Sequence, residues 1–175
     1  MYEIIESKVA FDGKIIDVVH DKVVIEENRE VMREVVKHVG AATILPVDEN
    51  GDIYFVRQYR HPAKQKVLEI PAGTLEPNEK PEVCAYRELE EEIGYASSNI
   101  TFLTKIYPAV GYSSEVIHIY LAKDLMQTAQ NLDPDEFVEI EKYSLKETLK
   151  LIKDGEIIDS KTIIAILFYK EFCMV

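Results

Sequence analysis

Between Pro81 and Gly94 the chain carries a stretch whose spacing predicts one helix with two different sides. Proline suits the first helical turn, where its missing N–H costs nothing, and glycine suits the left-handed residue that closes a helix. At about 100° per residue, Ala85, Leu89 and Ile93 fall on one stripe, and Glu88, Glu91 and Glu92 fall on an adjacent arc about 100° wide. The apolar stripe needs a core to pack on, and the acidic arc needs a cleft. Carboxylates at i, i+3 and i+4 repel by roughly 0.2–0.5 kcal/mol per pair, so the arc opposes its own helix until a cation relieves it. Hard divalent ions take oxygen ligands, and Mg²⁺ combines carboxylates with substrate phosphates. Taken alone, an acidic helix is more often a solvated face, so its surroundings decide.

Residues 2–36 alternate β-prone runs with turn signals. The runs 7–11, 15–19 and 22–25 are rich in Val and Ile, and Asp12-Gly13 and Glu26-Glu27-Asn28 interrupt them where hairpin connections are expected. A sheet of about three strands is marginal alone and needs a surface, supplied by the main domain or by a second subunit. From His38 the pattern becomes more apolar. Residues 39–47 read as a buried strand, 48–52 as a tight turn and 53–60 as the returning strand of a hairpin. Further strands are expected at 67–70, 100–107, 116–122 and 137–143. Ser144 with Glu147 forms a capping-box signature for a helix that stops near Gly155. A last helix is expected over 160–172, with Ile163, Ile164, Leu167 and Phe168 as its core face.

At 175 residues the chain can bury one sizeable core, so one main domain is expected. The formal net charge of −12, from 32 acidic and 20 basic residues, repels polyanions and argues against a nucleic acid polymer as partner. A small phosphorylated molecule remains compatible, provided that metal ions and local arginines reverse the field where it binds. No apolar run is long enough to span a bilayer, so no membrane partner is expected. The start of the chain, acidic at Glu3 and Glu6, lacks the pattern of a secretory leader, and the expected location is cytoplasmic. Cys84 and Cys173 read as reduced thiols, and His20, His38, His61 and His118 lack zinc-site spacing.

What precedes the glutamates gives them meaning. Gly73, Glu79, Arg87, Glu88, Leu89, Glu91, Glu92, Gly94 and Tyr95 stand at fixed distances: a glycine, five residues, a glutamate, seven residues, then Arg-Glu-apolar-x-Glu-Glu-x-Gly-apolar. This pattern resembles the Nudix hydrolase signature, and the strand order, loops and C-terminal helices are similar to that family over about residues 39–172. The resemblance implies an α/β fold: a Nudix α/β/α sandwich with a mixed central sheet over 39–175, plus a small N-terminal antiparallel sheet over 1–38 that serves dimerisation. It also implies Mg²⁺, with Mn²⁺ as a substitute. By position, Glu88 and Glu92 are the implied direct ligands. Glu91, placed with the catalytic residues, is a ligand or a holder of metal-bound water. The main-chain carbonyl of Ala72 faces the metal, and Arg87 and Glu79 orient and cap the helix.

Gln58-Tyr59-Arg60 ahead of Glu69-Ile70-Pro71-Ala72-Gly73, together with the N-terminal meander, is similar to the ADP-ribose and nucleotide-sugar pyrophosphatase branch. That resemblance implies a homodimer, whose N-terminal sheet crosses to the partner, and a small-molecule nucleoside diphosphate derivative as substrate. The implied reaction is Mg²⁺-dependent hydrolysis of ADP-ribose to AMP and ribose 5-phosphate, or of a related nucleoside diphosphate sugar. Arg60 is assigned to a phosphate, since its planar donor fork suits phosphate oxygens. Arg33 is assigned to the base or a phosphate across the dimer, Glu69 to a ribose hydroxyl or its own loop, and Glu115 to the distal sugar. The general base is expected in the acidic stretch 133–136, at Glu136, with Asp135 and Glu139 as competitors. Val110-Gly111 replaces the Pro-Gly pair of ADP-ribose enzymes, which leaves another nucleotide sugar open. A catalytically silent nucleotide-sugar-binding module on the same fold is the alternative. An isoprenoid diphosphate isomerase is a third reading, without the cysteine-centred signature that it would need.

Overall fold

The computed structural model describes residues 2–132, 134 and 136–174. By its contacts the chain divides into two compact units, Met1–Gly40 with Tyr107–Val116, and Ala41–Ile106 with Ile117–Val175.

The first unit is an antiparallel sheet of β1 (Glu3–Asp12), β2 (Asp17–Val24) and β3 (Glu30–Lys37) in that order. The runs 15–19 and 22–25, separate in the sequence pattern, share the single strand β2. Its alternate residues Val19, Asp21 and Val23 are buried on one face, and Asp21 is satisfied there by the hydroxyl of Ser7 at 2.6 Å. A polar residue with a cross-strand partner therefore continues the strand where its side chain alone suggests a break. β1 exposes Ile4, Val9 and Phe11. The segment Tyr107–Val116 joins β3 through bonds from Val36 N–H to Tyr112 O and from Ser114 N–H to Val36 O.

The second unit is built from β4 (Ala41–Pro46), β5 (Asp52–Arg60), β6 (Gln65–Glu69), β7 (Ala72–Thr74), α1 (Pro81–Ile93), β8 (Tyr95–Ile106), β9 (Ile117–Gln127), β10 (Glu139–Ser144), α2 (Leu145–Asp154) and α3 (Ser160–Phe172). A mixed sheet runs β7-β4-β9-β8, with β4 and β9 parallel, and an antiparallel sheet runs β10-β5-β6. Alternation along the strands divides the core. Ala42, Ile44, Tyr120 and Ala122 pack with Cys84, Ala85, Leu89 and Ile93 of α1, while Leu45, Ile119 and Leu121 pack with Ala165, Ile166 and Tyr169 of α3. This is the expected α/β/α layering. Burying Leu89 or Ile93 contributes about 1.5–3 kcal/mol each. Among the described residues no helix is long and apolar enough to cross a membrane.

Two expectations need correction. The turn after β4 forms, with Asp48 accepting from the N–H groups of Asn50 and Asp52 at 2.9 Å each, but no β4–β5 hairpin follows it. After one bridge between Val47 and Ile53 the strands part, β4 into the mixed sheet and β5 into the antiparallel one. β4 is apolar on both faces and takes an interior place with a neighbour on each side, which a hairpin edge would deny it. The core face of α3 is shifted in part: Ile163 and Ile164 pack against the core as expected, but Leu167 and Phe168 do not belong to it. Thr162, Ala165, Ile166 and Tyr169 are buried, whereas Leu167 is exposed and Phe168 packs on Phe172 with ring centroids 4.8 Å apart. α3 is apolar around most of its girth, so spacing alone does not select the buried side.

The other strand boundaries move for local reasons. β8 and β9 extend well beyond 100–107 and 116–122 because polar residues pair across them, for example Asn99 with Asp124 at 2.8 Å. α2 begins on the expected capping box of Ser144 and Glu147 and ends on Gly155, which takes the left-handed conformation.

Candidate active site

The acidic helix α1 starts at Pro81, ends against Gly94 at φ +68°, and lies on the mixed sheet with Cys84, Ala85, Leu89 and Ile93 inward. That packing determines where the glutamates go. Glu88 and Glu92 are buried beside the apolar stripe, whereas Glu91 is rotated outward with a third of its side chain exposed. The acidic arc is thus two buried carboxylates and one at the rim.

The loop leading into α1 is fastened to those carboxylates. β7 pairs with β4, which brings Ala72 and Gly73 beneath the helix. The N–H of Ala72 donates to Glu92 Oε2 at 3.0 Å, and Gln58 on β5 reaches Glu92 Oε1 at 3.4 Å. The Glu88 carboxylate lies where a side chain on Gly73 would be, so any Cβ there would collide with it. A side chain at this position would therefore displace the Glu88 carboxylate.

Arg87 organises the exposed side. Its Nη1 donates to Glu88 at 2.6 Å and to Glu91 at 2.8 Å, and its Nε and Nη2 hold Glu79 at 3.0 and 3.2 Å. Glu79 also accepts from the N–H of Glu76, so it closes the turn ahead of the helix and leaves the first N–H groups of α1 uncapped. The expected orienting role fits this geometry; the capping role does not.

Burial pushes the Glu88 carboxyl up to about 7, with Arg87 opposing and Glu91 and Glu136 adding to the rise. Burial and then the Glu88 charge push Glu92 up to about 8, with Glu136 again contributing. Burial outweighs the nearby Arg87 and Arg60 at these two carboxylates, so further positive charge would favour their ionised forms. Among the described residues, no three carboxylate, imidazole or thiol groups converge to hold an ion as the side chains stand. The donor chemistry nevertheless fits a hard divalent cation: two buried carboxylates packed against a glycine, with the Ala72 peptide beside them and oxygen donors throughout.

The charge of Glu136 adds to the rise of both Glu88 and Glu92. Its competitor Glu139 lies on β10, exposed and paired with Lys66, and Asp135 lies outside the described residues. Arg60 on β5 is fork-bonded to Glu69, Nε to Oε1 at 2.7 Å and Nη2 to Oε2 at 3.1 Å. Both Glu69 oxygens are therefore engaged within the fold, which favours its loop-satisfying role over a ribose contact. Gln58 and Arg60 are two apart on β5 and so share a face, the one from which Gln58 meets Glu92.

Arg33 and Glu115 lie in the first unit. Arg33 is exposed on β3 and donates to Met32 O at 3.1 Å, and Glu115 stands 3.9 Å from His38 Nδ1. Sequence reasoning overlooked Lys161, which is buried at the start of α3 and pairs with Glu69 and Asp159. Its only local signal is the Asp159 cap of that helix. Cys84 and Cys173 are unpaired, and burial pushes the Cys84 thiol up to about 12.

A family model described as NUDIX domain matches residues 36–165. The chain is similar to an ADP-ribose pyrophosphatase of Bacillus subtilis (strain 168), 41% identical over 160 residues that make up 90% of this chain and 86% of that protein. It is also similar to the methanol dehydrogenase activator of Bacillus methanolicus, 39% identical over 166 residues, 94% of this chain and 90% of that one. A solved structure described as a crystal structure of ADP compounds hydrolase aligns with a TM-score of 0.86 over 98% of this chain and 93% of its own. Its sequence identity is 21%, and the likeness is one of fold.

Proposed function

The chain belongs to the NUDIX family, and on that premise we propose that it hydrolyses the diphosphate linkage of ADP-ribose to AMP and ribose 5-phosphate, or that of a related nucleoside diphosphate sugar. It is a Nudix hydrolase acting on a small nucleotide-derived molecule. Nudix hydrolases in general use divalent metal ions, and Mg²⁺ is the ion proposed here, with Mn²⁺ as a substitute. The observation that carries the proposal is the pair of buried carboxylates, Glu88 and Glu92, packed on Gly73 and Ala72.

Glu88, Glu92 and the Ala72 carbonyl would hold the ion, with Glu91 as a further ligand or a support for its water. A hard divalent ion, when bound, neutralises charge on the diphosphate and acidifies water. The protein supplies the rest. Arg60 presents its guanidinium to a phosphoryl group, and Glu136 accepts the proton of the water that attacks phosphorus. The P–O bond to the bridging oxygen then breaks, and the two monophosphates leave as the products. Arg33 would meet the base or a phosphate across a homodimer formed through the N-terminal sheet, and Glu115 would meet the distal sugar. The apolar Ile4, Val9 and Phe11 exposed on β1 support that dimer. The domain division at residue 38 and a cytoplasmic location, where Cys84 and Cys173 would stay reduced, belong to the same proposal.

A panel of ADP-ribose and nucleotide sugars, assayed with Mg²⁺ and with Mn²⁺ and with products identified, tests the activity. AMP and ribose 5-phosphate from ADP-ribose are expected. Measurable ADP-ribose affinity without turnover of any diphosphate would overturn the proposal in favour of a silent binding module.

A further inference from the structure

Lys161 occupies the second position of α3, where the helix dipole disfavours a cation, yet it is only 7% exposed. A lysine is seldom buried unless it is paired, and this one is paired twice. Its ammonium meets Glu69 and, at 3.0 Å, Asp159. Glu69 Oε2 therefore carries two cations, Arg60 Nη2 at 3.1 Å on one side and Lys161 on the other. Asp159 accepts from Thr162 N and Thr162 Oγ1, and Thr162 Oγ1 in turn accepts the N–H of Ile70, next to Glu69.

The exposures run in one direction. Glu69 and Lys161 side chains are 4% and 9% exposed, while that of Arg60 is 41% exposed. An Arg60–Glu69 pair alone is neutral and offers little field to an anion. Lys161 loads the same carboxylate from behind, and Asp159, which balances Lys161, sits farther back against the N–H groups of α3. The four groups sum to zero, but they pair in the order Asp159, Lys161, Glu69, Arg60, which leaves Arg60 as the exposed positive end, on the strand face that Gln58 shares.

We infer that Lys161 is a positioning residue for substrate binding: by engaging Glu69 from the interior it fixes the carboxylate that holds Arg60 and keeps the guanidinium in place as the exposed positive end facing the diphosphate. This rests on the phosphate role proposed for Arg60.

Lys161→Met removes the charge, and Lys161→Met combined with Asp159→Asn removes it while keeping a capping residue and leaving no unpaired acid. Binding of ADP-ribose is measured by calorimetry in EDTA, where turnover is absent, and steady-state kinetics are then measured with Mg²⁺. The double variant is expected to melt within about 3 °C of wild type. It should bind ADP-ribose about tenfold more weakly and show a KM raised by a similar factor, with kcat within about threefold. A folded double variant with wild-type affinity and KM, or one that loses kcat alone, overturns the role of Lys161. Wild-type protein that neither binds nor cleaves any diphosphate of the panel overturns this inference together with the activity on which it rests.

Discussion

The main-chain N–H of Ala72 donates to Oε2 of Glu92 across 3.0 Å, tying the loop before the signature helix to the last turn of that helix. Glu88 completes the frame by lying directly over Gly73. Loop and carboxylates thus form one unit, and disturbing either moves the other.

Gly73→Ala tests that frame. The new Cβ must displace Glu88, and overpacking of this kind costs about 1–3 kcal/mol. If Glu88 holds the ion as proposed, its displacement should lower turnover by about 100-fold. Urea denaturation and kcat at saturating Mg²⁺ measure the two effects. A variant with unchanged kcat would show that Glu88 need not occupy this position.

Glu136→Gln separates the base candidates. Its charge acts on Glu88 and Glu92, whereas Glu139 is engaged with Lys66 on the surface. Loss of a general base should reduce kcat by about 10²–10⁴-fold. Glu139→Gln should leave kcat within about twofold of wild type, as a surface pair contributes little. Equal losses in both variants would contradict the assignment.

Glu69 gives a pH dependence of known sign. Burial opposes its ionisation, but Arg60 and Lys161 outweigh burial and hold it below its ordinary value of 4.5. Its stabilisation is therefore fully present above pH 4.5 and is lost as pH falls through the lowered value. Glu69→Gln should cost about 3 kcal/mol at pH 7, since it leaves Arg60 and Lys161 without their shared partner. That difference should narrow in denaturant melts taken below pH 4.5. A constant difference from pH 7 downward would contradict the ionised network.

The sequence is most legible where one element carries its own signals. Pro81, Gly94 and the stripe Ala85-Leu89-Ile93 delimit and orient α1, and the spacing from Gly73 to Glu92 points to the family to which the chain belongs. Legibility fails where a residue's environment comes from distant chain. Lys161 is buried by a carboxylate 92 positions away, so no local pattern separates it from a solvated lysine. The parting of β4 and β5 depends on β7 and β9 taking the flanks of β4, and a turn flanked by two apolar runs looks the same either way. Leu167 is exposed because α3 has more apolar surface than the sheet covers.

The most direct test of metal-assisted hydrolysis at Glu88 and Glu92 is the turnover of ADP-ribose by Glu92→Gln at saturating Mg²⁺, followed by phosphorus NMR beside wild type. Wild type should yield AMP and ribose 5-phosphate in equal amounts. The variant should be slower by about 10³-fold, and its melting temperature without divalent ion should match that of wild type, because glutamine keeps an acceptor oxygen for the Ala72 N–H. Hydrolysis by a folded Glu92→Gln protein at a rate near that of wild type would contradict the account.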